Sequence, residues 1–388
     1  MKARKFLFYA MMSMLLTAGC SGDEGTTPPD DSGNTGNTEK AVLTASVTPT
    51  VIKANGEDIA HIEVLFNNEP VSINEVTFYD NTTNEDLGWT TYDYRTTTVG
   101  SVTFWVSYKT YNTKHKPLTI KAEEPNLVPE KVDDPQPENT SFVHRSLLID
   151  FTSVKCGYCP LMAATMNALA ESESYCNKVV LTACHCSGMG EDPFVSSLAS
   201  SMEQSVGVSG YPCMLTDFRF ILRGTYTLEQ NIEIVGSYID ESLKDPAKVG
   251  ISATVMHNET SAAILATVKA AESGKYRIGA FLLEDGLFAQ QTNYTPTLSG
   301  DFDTHNHVVR IIDSKKSSTD FTGHELGEIA AGETMEYLFN WNLSTSWKKE
   351  NCSIVIFVTT RNEQGAWVVT NAVHLDTLDG KLPFEYNE

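Results

Sequence analysis

Leu147-Leu148-Ile149-Asp150-Phe151-Thr152-Ser153-Val154-Lys155-Cys156-Gly157-Tyr158-Cys159-Pro160 is the stretch that decides the fold. Its first five residues are apolar apart from Asp150 and read as a buried strand. Behind Pro160 come Met162, Ala163, Ala164, Met166, Ala168 and Leu169, which favour a helix. Proline suits the first helical turn, where its missing N–H has no partner to lose. The segment therefore delivers a Cys-x-x-Cys pair from a strand to a helix start, the layout of a thiol–disulfide redox site. Unpaired N–H groups at a helix start favour thiolate over thiol, and the Lys155 ammonium adds to this, so Cys156 is the expected nucleophile.

Outward from this stretch the pattern alternates strand and helix over residues 142–246. Lys178–Cys184 reads as a short strand, Pro193–Val206 as a helix and Cys213–Thr216 as another strand. Leu228, Ile232, Val235, Ile239 and Leu243 have helical spacing. That order predicts a central sheet covered by helices. On either side the apolar residues alternate with period two. Ile62, Val64 and Phe66, then Phe104, Val106 and Tyr108, give a strand-rich region over residues 41–122. Ile251, Ala253 and Val255, then Ile264 and Val268, then Tyr337, Phe339 and Trp341, give a second over residues 247–388. Residues 123–141, with four prolines among acids, read as a stiff extended linker. The expected fold class is α+β multidomain: an N-terminal immunoglobulin-like β-sandwich, a central α/β domain and a C-terminal β-sandwich.

At the front, Lys2, Arg4 and Lys5 precede an apolar run from Phe6 to Leu16, which is too short to span a bilayer and has the layout of a secretory signal over residues 1–19. Leu16-Thr17-Ala18-Gly19-Cys20 resembles a lipobox. That resemblance implies cleavage before Cys20, acylation of its sulfur and stable anchoring by several acyl chains. Asp23-Glu24 resembles the surface-export signals of some outer-membrane lipoproteins, so the expected location is the outer membrane, with exposure at the cell surface as the open alternative. Residues 20–40 are Gly, Thr, Pro, Asp and Asn with almost no apolar residue, a disordered tether with a reach of roughly 25 Å. The net charge of −22, without basic clusters after the signal, disfavours nucleic acid or an anionic membrane surface as partner.

The strand-CxxC-helix unit resembles the thioredoxin superfamily, so the central α/β domain is expected to be thioredoxin-like. Ile149-Asp150-Phe151 is similar to that superfamily's Val-Asp-Phe, which implies that Asp150 moves the proton of Cys159. Gly210-Tyr211-Pro212 stands where the superfamily keeps a cis-proline, which implies that Pro212 holds substrate backbone with Tyr211 and Tyr158 as substrate-binding neighbours. Lys155 replaces the tryptophan usual before the first cysteine. More closely, the chain resembles the outer membrane protein 28-related lipoproteins, which carry a thioredoxin-like domain. The residues behind this are Phe151-Thr152, Cys156, Cys159, Pro160, His185, Asp192, Gly207–Pro212, Arg219 and His305–Arg310.

Other groups carry open alternatives. Cys156 and Cys159 also fit a permanent structural disulfide. Cys184-His185-Cys186 places two thiols on one face of a strand, as buried thiols, disulfide partners or metal ligands. Cys176, Cys184, Cys186, Cys213 and Cys352 make an odd set beside the redox pair, with at least one free thiol or an intermolecular bridge, and Cys213 next to Pro212 is a candidate neighbour of Cys156. Asp301, Asp303, His305 and His307 alternate along one possible strand face, and Trp89, Tyr92 and Tyr94 form an aromatic cluster suited to packing or to a carbohydrate contact. Neither a metal nor a cofactor is expected. The expected function is a lipid-anchored thiol–disulfide oxidoreductase, reductase or isomerase, acting on exported or surface proteins. The alternative is a non-catalytic surface lipoprotein in which the cysteines only staple the fold.

Overall fold

The computed structural model describes residues 41–388 apart from Thr225. The expected signal sequence, the expected tether and the expected anchor at Cys20 lie outside the described residues. Two compact units are present, one made of the described residues up to Ile52 with Ile59–Arg95 and Gly100–Lys121, the other of Lys53–Asp58, Thr96–Val99 and Ala122–Glu388.

The first unit contains a four-stranded and a five-stranded sheet. Strands form at Ala60–Phe66 and Gly100–Tyr108, where the alternation is strict, and they bury Ile62, Val64, Phe104 and Val106. Trp89 packs on Phe78, Phe104 and Tyr94 at ring distances of 5.3, 5.0 and 5.0 Å, and the Tyr92 hydroxyl donates to Val71 O. These aromatics are part of the unit's packing.

In the second unit, strand Ser146–Thr152 is buried along its whole length. It pairs in parallel with Val179–His185 and antiparallel with Cys213–Thr216. Three α-helices form among the described residues: α1 at Cys159–Glu171, α2 at Ser197–Ser205 and α3 at Leu228–Ser242. Helix α3 begins at a capping box between Thr227 and Gln230, which satisfies two of its orphan N–H groups. Helices α1 and α3 cover one face through Met162, Met166, Leu169, Val235 and Ile239. Helix α2 covers the other through Ala199 and Met202.

The expected fold class, with its immunoglobulin-like sandwich, central thioredoxin-like α/β domain and C-terminal sandwich, is corrected here. The chain is a β-rich, multi-sheet protein, 42% strand and 13% helix. No self-contained α/β domain forms around the cysteines, because the edge of Val179–His185 does not stop the sheet. Ala183 is paired with Val308 of strand Val308–Asp313. That strand pairs with Gly274–Glu284, which pairs with Cys352–Arg361, followed by Trp367–Leu375. One nine-stranded mixed sheet results. Its far end packs against a four-stranded sheet of Val249–His257, Ser261–Ala270, Thr334–Asn342 and Gly380–Leu382. Ile251, Ile264, Phe339, Ile354 and Ile356 lie in the core between them. Strand edges offer the same N–H and C=O groups whatever their side chains, so local pattern does not reveal that the sheet continues.

The proline-rich segment is fastened to this unit. Lys269, 1% exposed, donates to Asp134 (2.9 Å), to the Gln136 carbonyl (3.0 Å) and to the Tyr386 hydroxyl (3.2 Å). Tyr386 in turn donates to Asp134 at 2.8 Å.

Candidate functional site

Strand Ser146–Thr152 ends beside His185 and releases the chain into the turn that carries the cysteines. The Cys156 N–H donates to Ser153 O and the Cys159 N–H to Cys156 O. Helix α1 starts at Cys159, with Pro160 in its first turn. Cys156 thus sits one short turn ahead of the helix. The two sulfurs are bonded, with the Cα atoms 5.4 Å apart.

Both cysteines are only 2% exposed. Their cover is a segment that none of the local motifs announces, the arm between strands Leu287–Phe288 and Thr304–His305. Thr292 N–H donates to Val154 O at 2.8 Å and Tyr294 N–H to Gly157 O at 2.7 Å. The Gln291 amide donates to Cys156 O at 2.9 Å and to Ser153 O at 3.3 Å. The Tyr294 ring lies on Gly157 so closely that a Cβ there would stand 2.3 Å from it. Close approach, not backbone conformation, is therefore what requires glycine between the cysteines. Tyr158, half exposed, meets Tyr294 edge to face at 5.5 Å.

Asp150 and Cys159 line one cavity of about 80 Å³, together with Pro160, His185, Gln291 and His305. Asp150 is buried and its Oδ1 has no hydrogen-bond partner. Burial pushes its carboxyl up to about 8, so it changes protonation near neutral pH. Across the cavity His185 Nδ1 donates to Asp192 at 2.8 Å. Asp192 also accepts the N–H groups of Val154 and Phe194, both at 2.8 Å. Burial opposes the charge of Asp192, but His185 and these two N–H groups hold its pKa below the usual carboxylate value. The buried side chains of this pair anchor the turn through the Val154 N–H. His305 lies 5.1 Å from His185, ring to ring, and its Nε2–H donates to Ala289 O. Burial, and then His185, lower its pKa.

Lys155 is exposed on the turn. The Tyr211–Pro212 peptide is cis and leads into Cys213–Thr216, but neither residue lines the cavity. Tyr211 gives its hydroxyl to Glu203 of α2 at 2.5 Å. Cys213 does not approach the pair. It is in register with Phe151, as is Cys184 on the other side, while Asp150 is in register with Met214 and Ala183. Neighbouring register positions share a sheet face and successive residues alternate. Cys184, Cys186 and Cys213 consequently belong to the α2 face, buried with Ala199 and Met202. Burial pushes the Cys213 thiol up to about 12 and raises Cys184 and Cys186 further. Cys176 is exposed and unbonded, and Cys352 is buried in the far core.

Among the described residues no group of three or more His, Cys, Asp or Glu is placed to hold a metal ion. Asp301 accepts from Thr304 and from Asp303 N–H, Asp303 accepts Gln291 N–H, and Asp285 accepts His307 N–H. The acidic and histidine residues of this stretch shape the covering arm.

Fold and site together define a β-rich, multi-sheet protein with a covered Cys-x-x-Cys disulfide at the head of a helix. The second half of the chain carries a family likeness: the sequence model of the family described as outer membrane protein Omp28 matches residues 199–376. That stretch begins beyond both site cysteines. Among solved structures the chain is similar to HBP35 of Porphyromonas gingivalis, at 19% identity over 62% of this chain and 77% of that one, with a TM-score of 0.48. It is also similar to a domain of the outer membrane lipoprotein Omp28 from the same organism, at 20% identity over 34% of this chain and 88% of that one, with a TM-score of 0.23. No curated protein matches the chain in sequence.

Proposed function

We propose that this chain is an outer-membrane lipoprotein related to Omp28, anchored through Cys20, and that Cys156 and Cys159 are the reacting pair of a thiol–disulfide oxidoreductase, reductase or isomerase, for exported or surface proteins. The Omp28 match supports the location. The observation that carries the chemistry is the cavity shared by Cys159 and Asp150, a buried carboxyl whose Oδ1 has no hydrogen-bond partner and whose pKa burial raises to about 8.

In the reduced pair, the Cys156 thiolate attacks one sulfur of a substrate disulfide, forming a mixed disulfide and releasing the other sulfur as a thiolate. Asp150 in its ionised form takes the proton of Cys159 and passes it to the departing substrate sulfur, while the Cys159 sulfur attacks Cys156. The Cys156–Cys159 bond forms and the second substrate sulfur leaves as a thiol. Two electrons pass to the substrate, and a dithiol donor must return two electrons to the pair. In isomerisation the substrate's own thiol displaces Cys156 instead, and no net electrons move.

The purified mature protein in detergent, given dithiothreitol, is expected to reduce insulin disulfides, and Cys156→Ser to abolish this. A rate no higher than that of a Cys156→Ser, Cys159→Ser double variant would overturn the reading. The 2% exposure of both cysteines favours the second reading, a binding or structural lipoprotein stapled by this bond. A reduction potential well below about −300 mV would mark such a staple.

A further inference from the structure

We propose that the carbonyls of Val154, Cys156 and Gly157 form a main-chain binding strip for an extended polypeptide bearing the substrate disulfide, and that residues 291–294 occupy this strip as an internal competitor. The proposal rests on the oxidoreductase reading of the same pair. Thiol–disulfide exchange requires a substrate sulfur to meet Cys156 directly, and Cys156, 2% exposed, sits in the turn to which the arm is bonded.

The arm is held as an extended peptide ligand is held. Thr292 and Tyr294, two residues apart, direct their N–H groups to Val154 O and Gly157 O. Main-chain donors at alternate positions are how a docking strand gains affinity without sequence preference. Gln291 supplies a third donor, from its side chain, to Cys156 O. Another polypeptide has N–H groups at the same spacing and can replace the first two bonds. The turn itself suits such a guest: Tyr158 between the cysteines is 44% exposed, leaving apolar surface in water beside the strip. The base of the arm is secured apart from the strip, by the pairing of Leu287 with His305 and Phe288 with Thr304 and by Ala289 N–H on Asp303 O. Displacing the tip leaves that base in place.

The test follows the opening of the Cys156–Cys159 bond by dithiothreitol in the full mature protein, with and without reduced, carboxymethylated α-lactalbumin, a permanently unfolded chain with no free thiol. The unfolded chain is expected to speed opening several-fold in the native protein. Gln291→Ala with Tyr294→Ala is expected to open on the order of tenfold faster without it and to gain nothing from it, since the two Gln291 amide bonds to Cys156 O and Ser153 O and a ring contact are lost. Gly157→Ala, which evicts the Tyr294 ring by its Cβ and leaves the arm's own sequence intact, should behave alike and guards against misfolding of the double variant. Equal opening rates in all three proteins, or no response of the native protein to the unfolded chain, would overturn the proposal. Faster opening with no insulin reduction by any variant keeps the strip and removes the oxidoreductase reading. Insulin reduction by the native protein with unchanged opening rates does the reverse.

Discussion

Asp150 and Cys213 lie on adjacent strands yet face opposite sides of the sheet, because Cys213 is in register with Phe151 and Asp150 with Met214. The carboxyl shares its face with Cys159, and the thiol lies under α2. Cys213→Ala should therefore leave the reduction potential of the Cys156–Cys159 pair unchanged. A shift beyond about 30 mV, equivalent to about 1.4 kcal/mol, would mean the two sites communicate.

Asp150 gives the folded chain a distinctive pH dependence. Burial keeps its carboxyl protonated up to about pH 8, whereas an unfolded chain ionises it near pH 4. The folded state binds the extra proton between these values, so the contribution of Asp150 is fully present below about pH 4 and is lost progressively as pH rises to about 8. Asp150→Asn removes the titration at nearly constant shape. Urea unfolding from pH 4 to 8 should fall less steeply in the variant, by on the order of 4 kcal/mol across the window. Parallel profiles would show that the buried proton is held elsewhere.

Asp192 acts in the opposite sense. Its lowered pKa contributes stability above about pH 4, lost as pH falls through the folded value. Asp192→Ala strands His185 Nδ1 and the N–H groups of Val154 and Phe194, at a cost of about 3–5 kcal/mol. Because Val154 leads into the cysteine turn, the variant should also show faster alkylation of Cys156 after reduction. Unfolding midpoints in denaturant and mass-resolved alkylation check the two effects separately.

Lys269 predicts how firmly the proline-rich segment is held. Its ammonium is buried against Asp134, Gln136 and Tyr386. Lys269→Met leaves Asp134 without its cation and should cost about 3 kcal/mol. Proteolysis within residues 123–141 should accelerate, and an unchanged cleavage pattern would show that the segment is held by other contacts.

Much of this architecture was legible locally. Strict alternation locates Ala60–Phe66 and Thr334–Asn342, because a half-buried strand must send every second side chain inward. Helical spacing behind Thr227 locates α3. The apolar run interrupted only by Asp150, followed by two cysteines and a proline, is enough to place the disulfide at the head of α1. The buried acid beside it could be read from the same residues. These features depend on neighbours within a few positions along the chain.

Tertiary structure alone decided three things. Ala183 pairs with Val308, which merges the cysteine region into a nine-stranded sheet where local pattern suggested a separate domain. Gln291 and Tyr294 close over a turn more than a hundred residues earlier, using backbone carbonyls that have no side-chain signature. Cys213 turns away from the pair because register, set by strand pairing, chooses its face. The physical reason is common to all three: side-chain periodicity records which face of an element is buried, whereas backbone hydrogen bonds choose partners without regard to residue type. The sequence by itself determined a disulfide-ready turn with a buried carboxyl behind it. The folded chain decided that this turn is covered.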